Sequence, residues 1–167
     1  MHYLIYDSAK YGSYNLMLLR GAFATNAMLL STRYDNDMEF VAPWIFKYEN
    51  EQAGVFNQLS ITSQNLCWID TEASLQDIVS IYQKIIYNGD IANAKQFYRC
   101  WDVKVAREEL HKSSEIAHNL LRVTGSIYLP DGKSFEHYTI DAWGKIIKKL
   151  VNNISSFEPI CASQQQD

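Results

Sequence analysis

The chain has 167 residues, of which 47% are hydrophobic and 20% charged, with Lys+Arg 15 against Asp+Glu 19 for a formal charge of −4. A chain of this length buries well over half of its unfolded surface, so its core needs neither disulfides nor a metal. No dense Lys/Arg stripe is available to neutralise a phosphate backbone, which argues against nucleic acid as a partner. Runs such as Ala27-Met28-Leu29-Leu30 fall far short of the roughly 20 apolar residues of a membrane span.

The opening Met1-His2-Tyr3-Leu4-Ile5-Tyr6-Asp7 lacks the basic and apolar regions of a signal peptide and reads as a first strand. Tyr14 to Arg20 is rich in helix formers and stops at Gly21, a plausible residue to follow a helix end. Ala27 to Leu30, Trp44 to Tyr48 after Pro43, and Leu66 to Ile69 read as short buried strands. The clearest helix covers Leu75 to Tyr87: Leu75, Ile78, Val79, Tyr82, Ile85 and Ile86 recur at spacings of three and four, Ser74 with Asp77 makes a capping box, and Asn88-Gly89 ends it.

Gln96 to Trp101 is aromatic-rich and reads as a strand, with Asp102 placed to cap a helix through Leu110. A further helix covers Glu115 to Arg122. Gly125 to Leu129, the turn Pro130-Asp131-Gly132-Lys133, and Ser134 to Ile140 form a hairpin. Asp141 then caps a last helix whose stripe is Trp143, Ile146, Ile147, Leu150, Val151 and Ile154, with Lys145, Lys148 and Lys149 off it. The expected fold is therefore α/β (or α+β): an N-terminal layer of alternating strands and helices, then a more helical C-terminal part with one β-hairpin. Gly and Pro do not cluster, so residues 1–154 read as a single domain. If it divides into two lobes, the boundary falls near 102–112. The Ser/Gln-rich 155–167 read as a flexible tail.

Catalytic signatures are few. A nucleophile elbow, a phosphate-binding Gly-rich loop and the dinucleotide fingerprint are all missing from the sequence. Cys67, Cys100 and Cys161 are odd in number and scattered, which suits reduced thiols in a cytoplasmic protein. His111 and His118 are seven apart without the closer spacing of a metal motif, so no metal or cofactor is expected. Cys100 paired with a distant His, or Asp7 paired with Asp102, would serve a small hydrolase. The plainer readings are a buried inert thiol and two helix caps. The three lysines read as a solvated face, an acidic partner or a membrane surface being the alternatives. Trp44 and Trp101 suit either the core or a binding surface.

Tyr98-Arg99-Cys100-Trp101-Asp102-Val103-Lys104-Val105 resembles the aromatic-Arg-aromatic-aromatic-Asp-Pro-Arg-Val segment of the type VI secretion effector chaperones, the Tap or Tec adaptors. Ala42-Pro43-Trp44-Ile45-Phe46 resembles that family's Ala-Pro-aromatic-Leu-Val segment. Tyr3 to Ala9 resembles its first strand and Asp-containing turn, and Thr71 to Asp77 its entry to a central helix. The resemblance covers roughly residues 2 to 140 and makes the chain a divergent member, with Val103 in place of Pro and Cys100 in place of an aromatic. It implies a cytoplasmic, non-catalytic adaptor that binds one cognate toxic effector near the effector's N-terminal region and helps load it onto the VgrG spike. The residues it points to for partner binding are Trp44, Arg99, Trp101, Asp102 and Lys104. An immunity protein that blocks a toxin is the alternative from the binding class.

Overall fold

Tyr3, Leu4, Ile5 and Tyr6 are consecutive and all buried. Because successive strand side chains point to opposite faces, the sheet that holds them is covered on both sides. The computed structural model, which describes residues 1–31, 36–88, 97–152 and 154, puts this strand (β1, His2–Asp7) inside a seven-stranded sheet. The others are β2 (Asn26–Met28), β3 (Pro43–Lys47), β4 (Cys67–Asp70), β5 (Ser126–Asp131), β6 (Ser134–Ile140) and β7 (Ile146–Val151), in the order β2-β3-β1-β4-β5-β6-β7. Every neighbouring pair is antiparallel. Ile5 faces Ile45 on one side and Cys67 on the other.

Two apolar cores result. On one face Tyr3, Ile5, Ile45, Ile69, Ile127 and Leu129 pack against α3 (Leu75–Ile86), α4 (Val103–His111) and α5 (Glu115–Thr124), through residues such as Ile78, Tyr82, Leu110 and Leu121. On the other, Leu4, Tyr6, Phe46, Trp68 and Phe135 meet Leu16 and Leu19 of α2 (Ser13–Ala22) and Phe56 of a 3-10 helix over Asn50–Asn57. A single turn, α1 (Ser8–Tyr11), joins β1 to α2.

The local signals for α3 and the hairpin hold in detail. The Ser74 hydroxyl accepts from the Asp77 amide at 3.2 Å while the Asp77 carboxylate accepts from the Ser74 amide at 3.3 Å. At the β5–β6 turn Gly132 adopts φ 61, a conformation glycine takes without steric cost. Gly21 lies inside α2, whose end is one residue later.

The expected fold class is corrected by the sheet. Continuous apolar strands indicate burial on both faces, a condition usual in parallel α/β layers, but here antiparallel strands sandwiched between helical layers satisfy it equally well. The C-terminal part is not mainly helical with one hairpin: it extends the hairpin into a three-stranded meander. The segment expected as a last helix is β7, and it pairs along its whole length with β6, from Ile140↔Ile146 to Phe135↔Val151. Its β-branched Ile146, Ile147 and Val151 favour a strand once a partner edge is available. Asp141 caps a turn rather than a helix, its carboxylate accepting from the Trp143 and Lys145 amides at 2.9 Å each. Phe97 to Trp101 is likewise no strand but an irregular crossing from α3 to α4, tied by the Tyr98 amide to the Ile86 carbonyl at 2.9 Å. Gln96, residues 155–167 and Cys161 lie outside the described residues.

Candidate partner-binding site

The register pairs Asp7, the last residue of β1, with Pro43, the first of β3, so both sit at one end of the sheet. The 97–102 crossing passes over that same end. Asp7 has two tasks there. Its Oδ1 accepts from the Ala9 amide at 3.1 Å, capping α1, and its Oδ2 accepts from Arg99 Nη2 at 3.4 Å. Arg99 also lies 4.0 Å from the Asp102 carboxylate and holds its guanidinium 5.8 Å from the Trp101 ring centroid. Asp102 Oδ1 in turn accepts from the Lys104 and Val105 amides at 2.9 and 3.2 Å, capping α4. One guanidinium thus links the caps of two helices.

Beside this linkage opens a cleft of about 460 Å³, lined by Asp7, Ala9, Leu30, Met38, Val41, Pro43, Phe97, Arg99 and Trp101. Its lining is mainly apolar, with the Asp7–Arg99 pair as its charged element. Asp7 keeps only 9% of its side-chain surface exposed, whereas Arg99 keeps 55%. The arrangement can take up apolar groups beside a charged one.

Of the five residues singled out by the sequence, Arg99 and Trp101 line the cleft and Asp102 stands behind Arg99. Lys104 is exposed on the first turn of α4. Trp44 is not at the cleft: it points from β3 into the opposite core, its indole N–H donating to the Glu39 carbonyl at 2.8 Å under an Arg20 guanidinium 4.7 Å from its ring centroid. Trp101 is itself buried in the helix-covered core, and its indole N–H is a buried donor with no acceptor among the described residues. Sequence reasoning missed Leu30, Met38 and Val41. The apolar Val41 beside Pro43 was the available signal, and 49% of it is exposed.

Cys100 lies beneath this region, buried, and chiefly that burial pushes its thiol up to about 12; Cys67 is raised to about 12 for the same reason. A thiol held so far above neutrality is protonated and a poor nucleophile. Asp7 and Asp102 are occupied as caps and partners of Arg99.

A second polar centre lies farther along α4. Glu136 of β6 is buried and accepts from Arg107 Nε at 2.7 Å, Tyr138 Oη at 3.1 Å and Lys148 Nζ at 3.5 Å, with His111 Nε2 3.7 Å away. Burial raises its pKa, but the hydrogen bonds from Arg107 and Tyr138 and the charges of Arg107 and Lys148 outweigh it, so the carboxyl sits below its usual value. Arg107 also donates to the Pro130 carbonyl at 2.6 Å, fastening α4 to the β5–β6 hairpin. His118, on α5, lies between the Ser114 and Gly144 carbonyls. Among the described residues no three His, Cys, Asp or Glu side chains are grouped to hold a metal ion, and no helix is long and apolar enough to cross a membrane.

No protein-family model, curated protein or solved structure matches the chain.

Proposed function

We propose that the chain is an effector chaperone of the type VI secretion kind: it binds a cognate toxic effector, stabilises it, and helps bring it to the VgrG spike. The observation that carries this reading is convergence. Three of the segments on which the resemblance rests, Tyr3 to Ala9, Ala42 to Phe46 and Tyr98 to Val105, meet at one cleft, joined by the Asp7–Arg99 contact across 92 positions of sequence, while Thr71 to Asp77 does not line it. A client segment seated there buries apolar surface against Val41, Met38 and Phe97, and its binding free energy stabilises whatever folded or partly folded client state it holds. The occupied carboxylates and the buried, protonated Cys100 favour binding over a cysteine or paired-carboxylate hydrolase.

The test is co-expression with the neighbouring effector, followed by affinity purification of the wild-type chain and of Val41→Asp. The wild type should carry the effector in stoichiometric amount and Val41→Asp should lose it while unfolding at the same urea concentration. A well-expressed effector that never co-purifies sinks the proposal. Deletion of the gene distinguishes the alternative: loss of secretion or of effector level supports the chaperone, whereas poisoning by sibling cells with secretion intact makes the chain an immunity protein.

A further inference from the structure

The end of the sheet opposite the cleft carries a second surface. β7 is the outermost strand, and among the described residues nothing pairs with its outer edge. A six-residue edge strand presents a row of backbone N–H and C=O groups ready to pair with another extended chain. The turn that leads into it is held by the two Asp141 side-chain hydrogen bonds and by Gly144 at φ 80. That turn displays Trp143 with 93% of its surface exposed, while the Trp44, Trp68 and Trp101 rings are buried. Lys145, just before the strand, and Lys148 and Lys149 within it are exposed in a chain whose net charge is −4.

We propose that β7 is a docking edge for an extended acidic segment of a partner protein, which adds to the sheet as an eighth strand and is anchored at one end by Trp143. The charge pattern chooses the occupant. A second copy of this chain adding through its own β7 brings lysines opposite lysines, and like charges across a strand pair are unfavourable. The same lysines attract aspartate or glutamate. They also lie on both faces of the sheet: Lys148 pairs in register with Tyr138 of the helix-covered face, and Lys149 with His137 of the other. A flat anionic membrane meets one of these sides at a time, whereas an added strand, whose side chains alternate, reaches both. Lys148 is held by Glu136, so Lys145 and Lys149 are the pair to select the partner. This surface is independent of the cleft and stands whether or not the chain is a chaperone.

The probe is a short synthetic peptide alternating Glu and Val, added to the full chain. Trp143 emission should shift to the blue and lose quenching by acrylamide, and the β7 amides should gain protection from hydrogen exchange. Trp143→Ala should weaken binding about tenfold, the scale of an aromatic anchor, and Lys145→Glu/Lys149→Glu should abolish it. The same peptide N-methylated at every residue keeps its charge but has no N–H on either edge and cannot pair as a strand, and it should not bind. Equal binding of the methylated peptide, equal binding of a Lys/Val peptide, or a Trp143 shift with phosphatidylserine vesicles but not with the acidic peptide overturns the proposal.

Discussion

Trp101 tests whether the cleft wall is core or anchor. Its ring is 8% exposed, and an aromatic side chain buries about 150–250 Å². At about 25 cal/mol per Å² that is worth roughly 4–6 kcal/mol as an upper bound, consistent with the ~3–5 kcal/mol usual for truncating a buried Trp to Ala. The unpaired indole N–H works in the other direction, because leaving a buried donor unsatisfied costs about 1–3 kcal/mol that disappears with the ring. Taking the donor's cost at about 1 kcal/mol, Trp101→Ala should destabilise by about 2–4 kcal/mol, at the low end for its size. Trp101→Phe keeps most of the apolar surface and removes the donor, so it should lie within about 1 kcal/mol of wild type. Urea unfolding followed by far-UV circular dichroism measures both. If Trp101→Phe costs as much as Trp101→Ala, the N–H has an acceptor and the argument from an unsatisfied donor fails. If Trp101→Ala leaves the midpoint unchanged, the residue is a surface anchor instead.

Arg99→Ala should change stability by less than about 1 kcal/mol, since its guanidinium is more than half exposed and its carboxylate contacts are long; a larger loss in urea unfolding means the two helix caps depend on it. Glu136, held below its usual pKa, contributes stability that is complete above the unfolded value of about 4.3 and is lost as pH falls through its folded value. The urea midpoint of Glu136→Gln should therefore vary less with pH in that acid range than that of wild type, and parallel pH profiles refute the assignment. In a Cys161→Ser background, Cys67 and Cys100 should resist iodoacetamide at pH 8 until urea unfolds the chain, because both thiols are buried and raised to about 12; fast labelling of the native chain refutes that burial.

What the sequence revealed depends on the range of the interaction. The α3 helix, its capping box, the Asp102 cap and the Pro-Asp-Gly hairpin were legible because each is decided within four or five residues. β7 was not. Ile146, Ile147, Leu150 and Val151 satisfy a helical stripe as well as they satisfy a strand, and the deciding quantity, a β6 edge offering hydrogen bonds at matching register, lies outside the segment. Strand direction was lost for a similar reason. Apolar run length reports how many faces are covered, not which way the neighbouring strand runs, so the expected layer of alternating strands and helices left open the antiparallel pairing of β1 and β3 from Tyr3↔Lys47 to Asp7↔Pro43.

The site shows the same division at the scale of single residues. Asp7 and Asp102 each read correctly as helix caps, and the sequence joined them only as the two acids of a hydrolase, because the residue between them lies far from Asp7 in the chain. What joins them is Arg99, whose five donors exceed what either cap needs and whose reach spans both. A paired-carboxylate enzyme would place the two acids around a substrate; here a fixed cation lies between them and its outer side remains exposed. That changes what the two acids do: they neutralise and orient an arginine beside an apolar cleft.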